Sequence, residues 1–387
     1  GDPRLALALA QRHGLPEIVG RLLAARGVAV DEAGAFLAPR LREALPDPSR
    51  LRDMDRAADR LARAVMSGER IAVFGDYDVD GATSAALLHR FFAAVGAPLL
   101  RIHVPDRLRE GYGPNLPALL RLKADGARVV VTVDCGTLAF APLAQARAAG
   151  LDIVVVDHHA AEPRLPEAAA LVNPNRLDET AGFGELAAVG VAFLLVVAVN
   201  RALRRAGWYG PSRPEPDLLQ WLDLVALGTV CDVVPLTGLN RALVAQGLKV
   251  LGRRGNPGIA ALCDVAGLAD APGTYHLGFV LGPRVNAGGR VGESGLGARL
   301  LSTDDPAEAA ALAGRLDAYN RERRALEQAA LEAAIAQVER DGAEGSLLFA
   351  CGEGWHPGVV GIVAGRLVQR YGLPACVVAL GDGVGRG

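Results

Sequence analysis

Short, unbroken apolar runs that alternate with helix-patterned segments constrain this chain most. Ile71–Phe74, Val129–Val133 and Ile153–Val156 are β-rich runs, and a further strand is expected over 98–104. Helical patterns fall around them, over 54–65, 82–95, 115–124 and 141–149. Strands apolar on both faces and separated by helices require a parallel sheet covered on both sides, so the expected fold class is α/β.

The remaining chain divides around that sheet. Residues 1–48, broken by Pro16, Pro39, Pro46 and Pro48, read as an N-terminal helical arm, and 49–303 as the main domain, with apolar helices at 185–205 and about 216–228. Asp304-Asp305-Pro306 is a helix start, with Asp as cap and Pro in the first turn. The Ala/Glu/Arg-rich stretch after it predicts a connector helix over 304–342, roughly 50 Å long at 1.5 Å per residue. Residues 343–387 read as the start of a smaller α/β unit.

A chain of 387 residues, 51% apolar, can bury large cores, which excludes general disorder. Net charge is −2, so any affinity for nucleic acid must come from local patches and bound metal. Lys occurs only at 123 and 249, and the Arg-dominated basic set suits bidentate phosphate contacts as well as a GC-rich coding bias. Five scattered cysteines, Cys135, Cys231, Cys263, Cys351 and Cys376, indicate neither a disulfide framework nor a zinc ribbon, and fit the cytoplasm. The longest apolar run, 186–199, is too short to span a bilayer, so no membrane association is expected. No basic segment followed by an apolar one opens the chain, so no secretion signal is expected. The Gly at the start and the G-V-G-R-G at the end suggest a piece of a longer protein.

Acidic residues stand where the strands end. The first strand runs into Asp76, Asp78 and Asp80, the third into Asp134-Cys135-Gly136, and the fourth into Asp157-His158-His159. Asp232 follows an apolar helix, where a carboxylate is costly unless paired or bound to metal. Parallel sheets bind ligands at these carboxyl ends. Converging carboxylates raise one another's pKa and so call for cations. A calcium loop starting at Asp76 would need Glu at its twelfth position, where Leu87 stands. Mixed Asp and His donors favour Mn²⁺, with Mg²⁺ as a substitute. Two such ions about 3.5–4 Å apart would serve in-line displacement at phosphorus.

The segments G-D-Y-D-V-D-G (75–81), D-C-G (134–136), D-H-H (157–159) and the Asp of C-D-V-V-P-L (231–236) resemble motifs I to IV of the DHH phosphoesterase family. Further likeness lies in P-D-R-L-R-E-G-Y-G (105–113), G-P-R-V-N-A-G-G-R (282–290) and W-H-P-G-V-V-G-I-V-A-G-R (355–366), the last like the start of a DHHA1 domain. The resemblance covers roughly 50–387. It implies that Asp78, Asp80, Asp134, His158 and Asp232 ligate two metals, Asp134 bridging, and that His159 contacts the scissile phosphate. Many relatives carry a His where this chain has Phe74, so Asp76 is the expected replacement ligand, and Asp157 is expected to orient an imidazole. Arg109, Arg284, Asn286 and Arg290 would hold phosphates or the terminal nucleotide, Tyr112 or Trp355 would stack on a base, and His356 would open a helix whose amino end suits an anion.

The likeness points to the family branch that degrades single-stranded DNA from the 5′ end to mononucleotides in repair and recombination. Small-substrate relatives acting on oligoribonucleotides or cyclic dinucleotides are the first rival, although they lack the 282–290 segment and the long connector. An inactive scaffold is the second, although here every acidic ligand is present. A monomer is expected, with single-stranded DNA, a single-strand-binding protein and a helicase as partners. More DHHA1 sequence and an OB-fold would follow residue 387.

Overall fold

The computed structural model describes residues 2–107, 109–341, 345–381 and 383–387; the expected boundary at 342/343 and Leu108 of the 105–113 segment lie outside them. The strands β1 (Ile71–Gly75), β2 (Leu99–His103), β3 (Val129–Val133), β4 (Asp152–Val156) and β5 (Ala170–Val172) form one parallel sheet in the order β2-β1-β3-β4-β5. The expected parallel sheet is thus present, with β5 as a strand that the sequence pattern did not reveal. The chain leaves β1 for one edge and then fills the other from β3, which puts the topological switch between β1 and β3.

Register sets the level of everything that follows. Gly75 pairs with Val133 and Val133 with Val156, so Asp76, Asp134 and Asp157 leave three adjacent strands at one height. Four short helices come first: α1 (Pro3–His13), α2 (Glu17–Ala25) and α3 (Ala33–Leu37) gather around their own small core of Leu9, Leu23, Val28 and Ala33, and α4 (Leu41–Ala44) packs Leu41 and Ala44 against the main core. Next come α5 (Met54–Met66), α6 (Val79–Ala94), α7 (Leu116–Ala124) and α8 (Phe140–Ala148). The fourteen-residue apolar run becomes α9 (Ala188–Arg205). Alternate strand residues point to opposite faces. Val73, Val131 and Val154 meet α5, α6 and α9, whereas Phe74, Val130 and Val155 meet α7 and α8.

A helical layer follows: α10 (Leu222–Cys231), α11 (Gly238–Leu251), α12 (Pro257–Val265) and α13 (Thr274–His276), then a π-helical turn, Leu277–Leu281, running into α14 (Gly282–Val291), and α15 (Leu296–Ser302). The expected helix near 216–228 is a 3₁₀ turn at Leu218–Trp221 followed by α10, because Asp217 caps the turn through the amide of Leu219. The connector is a single helix, α16 (Pro306–Asp341), of 36 residues and so about 54 Å. Asp305 caps it through the amide of Ala307. The small second sheet, β6-β7-β8, comprises β6 (Leu348–Glu353), β7 (Ala375–Gly381) and β8 (Val384–Arg386), and α17 (Pro357–Tyr371) covers it. Among the described residues no helix is long and apolar enough to cross a membrane.

Phe193 of α9 lies wholly inside the main core, between α5 and α6. Phe193→Ala should lower the unfolding free energy by about 3–5 kcal/mol, measured by urea denaturation. A loss under about 1 kcal/mol would contradict this packing.

Candidate active site

The site is built at the switch point. The turn after β1 carries Asp76 and Asp78, and Asp78 caps α6 by accepting from the amide of Gly81 at 3.0 Å. Gly81 has to be glycine, since a Cβ there would press on the backbone of Asp76. Asp80 occupies the first turn of α6, and its two oxygens accept from the amides of Ala188 (2.6 Å) and Val189 (2.8 Å). The amino end of apolar α9 therefore serves a buried carboxylate. Asp134 follows β3 with φ of +60°, a left-handed conformation rare outside glycine, and Asp232 ends α10.

The six expected metal ligands converge. Donor atoms of Asp76, Asp78 and Asp134 lie within 4.8 Å of one another, as do those of Asp80, His158 and Asp232 and those of Asp134, His158 and His159. The three groups overlap through Asp134 and His158, which suits two neighbouring cations. The donor set fits a metal on two further grounds. Asp76 Oδ1 and Asp232 Oδ2 are buried without a hydrogen-bond partner. His158 Nδ1 lies 3.1 Å from the carbonyl of Leu186, an acceptor only, so Nδ1 carries the proton. His158 Nε2 then faces Asp134 Oδ1 (3.3 Å) and Asp80 Oδ2 (3.9 Å), so one imidazole nitrogen and two carboxylates converge on a common point where a cation could sit.

Electrostatics say the same. Burial and the charge of Asp78 raise Asp76 from its ordinary 3.8 to about 7. Burial, together with Asp80, Asp78 and Asp76, pushes Asp134 well up, and burial with Asp232 and Asp78 does so for Asp80. Asp157 behaves oppositely. Burial opposes its charge, but hydrogen bonds from His159 Nδ1 (2.7 Å) and the amide of Thr137 (2.9 Å) outweigh it and hold the carboxyl well below its usual range. It also accepts from the amides of His158 and His159, so it holds the His159 imidazole and the backbone of both histidines, and the bond to Asp157 raises the pKa of His159.

Phe74 is buried on the α7/α8 side of the sheet, and Asp76 stands in the cluster instead. Tyr112 reaches the site, donating to the carbonyl of Asp134 at 3.3 Å, with its ring edge-on to His159. Other expected positions differ. Arg109 is exposed and turned to Asp106, 3.8 Å away, while its neighbour Arg107 lines the cleft. Arg284 donates to Asp317 and the carbonyl of Val280, tying α14 to α16 instead of facing a phosphate. Trp355 is partly buried, its ring against Gly352 and packed on the core of the small second sheet. His356 caps α17, its Nδ1 accepting from the amide of Gly358, and Asn286 sits half-buried on α14. Sequence reading also missed Asn173 and Asn175 after β5, whose side-chain amides hold the carbonyls of His159 and His158. Their signal was again a polar pair at a strand end, hidden because β5 was not recognised.

A cavity of about 350 Å³ is lined by Arg107, Gly289, Arg290, Arg386 and the start of α17; it includes none of the cluster's donors but lies next to them across Tyr77, against which Gly289 and Arg107 pack. Arg290 bonds to the carbonyl of Gly358, and a side chain on Gly358 would collide with Arg290. Burial, Arg107 and Arg323 depress the pKa of Arg290, against a smaller opposing pull from Tyr77 and Asp78. A larger cavity, about 630 Å³, lies between the N-terminal arm and α11 and includes none of the cluster's donors.

Fold and donor set together define the class: an α/β protein whose sheet switch point is built to hold divalent cations. The sequence signature of the DHH family, N-terminal domain, matches residues 70–229. The single-stranded-DNA-specific exonuclease RecJ of Escherichia coli K12 is 40% identical over 382 residues, covering 96% of this chain and 65% of that protein. A crystal structure of exonuclease RecJ bound to manganese superposes with a TM-score of 0.75 at 35% identity, over 87% of this chain and 81% of that one. RecJ of Thermus thermophilus in complex with Mn²⁺ superposes at 0.81 with 32% identity, over 98% and 53%. The chain belongs to the DHH family, on its RecJ branch, and spans about two thirds or less of the length of the curated relatives it matches.

Two outcomes are expected. Unfolded Asp76 titrates near 3.8 and folded Asp76 near 7, so between these values the folded chain holds more protons and loses stability as pH rises. In EDTA, Tm should fall from pH 4 to pH 7, and added Mn²⁺ should raise Tm more at pH 8 than at pH 5; a flat profile in EDTA contradicts the clustering. Asp157→Asn should weaken Mn²⁺ binding or activity by about 10- to 100-fold, read by titration calorimetry and turnover.

Proposed function

We propose that this chain is the catalytic core of a metal-dependent exonuclease that degrades single-stranded DNA in the 5′ to 3′ direction to mononucleotides. One observation carries the reading: overlapping Asp/His groups at the switch point abut a cavity lined by three arginines and a helix amino end. Asp76, Asp78 and Asp134 would hold one ion and Asp80, His158 and Asp232 the other, with Mn²⁺ preferred over Mg²⁺. Bound there, the ions would supply Lewis acidity to the phosphoryl group and make water acidic enough to attack at neutral pH.

The chain's own residues do the rest. Arg107, Arg290 and the amides opening α17 hold the terminal 5′-phosphate beyond the metal cluster, which sets polarity. His159, its pKa raised by the hydrogen bond to Asp157, offers Nε2 to the scissile phosphate. Tyr112 closes that side of the site. In the cell this reading implies a cytoplasmic role in DNA repair and recombination, with a single-strand-binding protein and a helicase as partners.

A 5′-phosphorylated single strand labelled at either end, a duplex, an RNA strand and a dinucleotide should be compared under Mn²⁺. The single DNA strand should be consumed fastest, its 5′ label released first, and Asp134→Ala should abolish turnover. Retained turnover by that variant, release from the 3′ end, or preference for the dinucleotide would overturn the assignment.

A further inference from the structure

Two aromatic side chains outside the site remain unexplained. Tyr275 and Phe279 are 65% and 73% exposed, which is unusual for a stacked pair, and their rings lie 5.2 Å apart at 27°. Single exposed hydrophobic residues are ordinary on a surface. A parallel pair held outward by the helix they share is not, because its neighbours Leu277 and Leu281 are fully buried and fix that helix's rotation.

Their mounting is rigid and adjoins the metal cluster. The helix runs without interruption from Thr274 to Val291, through the π-helical turn at Leu277–Leu281, a costly conformation kept mostly at functional sites. Gly278 and Gly282 let it lie directly on the end of α10, against Val230 and Cys231, and the thiol of Cys231 donates to the carbonyl of Leu277 at 3.3 Å. The next residue of that element is Asp232. After it Val233, β-branched, stands at φ +62° and 86% exposed, a strained backbone beside a metal-ligand position. The opposite end of the same helix bears Arg290 and the anion cavity. At 1.5 Å per residue Phe279 is roughly 16 Å from Arg290, and between them Gly282 meets Cys231, next to Asp232, and Gly289 meets Tyr77, between Asp76 and Asp78.

We infer that Tyr275 and Phe279, with Val233 as an apolar step, form a base-stacking platform for the part of a single nucleic-acid strand that has not yet reached the metals. This rests on the exonuclease reading above and adds to it the track taken by the uncut strand. Aromatic faces suit such a track because every base offers a π-face, so grip does not depend on sequence. The platform is independent of the terminal phosphate, which lies at the other end of the helix.

The test pairs protein and substrate changes. For the unaltered chain, abasic sites placed a few nucleotides from the 5′ end should raise KM by about 5- to 150-fold per lost stack, with kcat retained. The double variant Tyr275→Ala/Phe279→Ala should show a similar KM rise on the intact strand and no further rise on the abasic one. Phe279→Trp should restore tight binding, which a merely structural role would not predict. Equal abasic penalties in variant and parent, or an unchanged KM in the variant, would overturn the platform while leaving the exonuclease reading intact. Absence of turnover by the parent chain on any strand would instead sink the exonuclease reading itself.

Discussion

Five carboxylates brought to one sheet edge create the constraint on which this structure turns. Asp76, Asp78, Asp80, Asp134 and Asp232 cannot all ionise in a buried site without positive charge among them. The protein supplies little of it. Asp80 draws on the amino end of α9, but Asp76 and Asp232 each leave a buried oxygen unpaired. The fold therefore stores an electrostatic demand, and Asp157 shows the contrast. Equally buried, it is held ionised by donors from His159, Thr137 and the backbone, and so orients the His159 imidazole instead of waiting for a cation.

Positions fixed by the backbone were legible in the sequence. Apolar β-rich runs ending in Asp predicted both the strands and the edge at which the donors meet, and registers Gly75↔Val133 and Val133↔Val156 brought them level. The exchange of Phe74 for Asp76 was readable only through the family resemblance, and the structure stands Asp76 among the donors while Phe74 is buried in the core. Side-chain partnerships were not legible. Arg107 and Arg109 stand two apart in a loop, and only tertiary packing sends one into the cleft and the other to Asp106. Arg284 was drawn to Asp317, a partner 33 residues away. Trp355, beside the helix-opening His356, was taken up by a core that the small second sheet needed to fill. The three-residue β5 escaped notice, and with it the asparagines that tether the histidine loop.

The helical layer between residues 238 and 302 was not read from the sequence beyond its 282–290 segment, yet it contributes one wall of the site. Gly282 and Gly289 let the helix that carries Arg290 lie close to Cys231 and Tyr77, so one element spans from the acidic cluster to the arginine cavity.

The 36-residue α16 is bound at both ends of its length. Near its start Arg90 pairs with Asp304, and Arg284 with Asp317. Further along Glu327 meets Arg366, and Gln337 exchanges hydrogen bonds with the backbone of Cys351. A rod pinned in this way behaves as a spacer bar. It fixes the distance at which the small second sheet is carried from the five-stranded one, and the contact of Arg290 with the carbonyl of Gly358 adds a second tie between them.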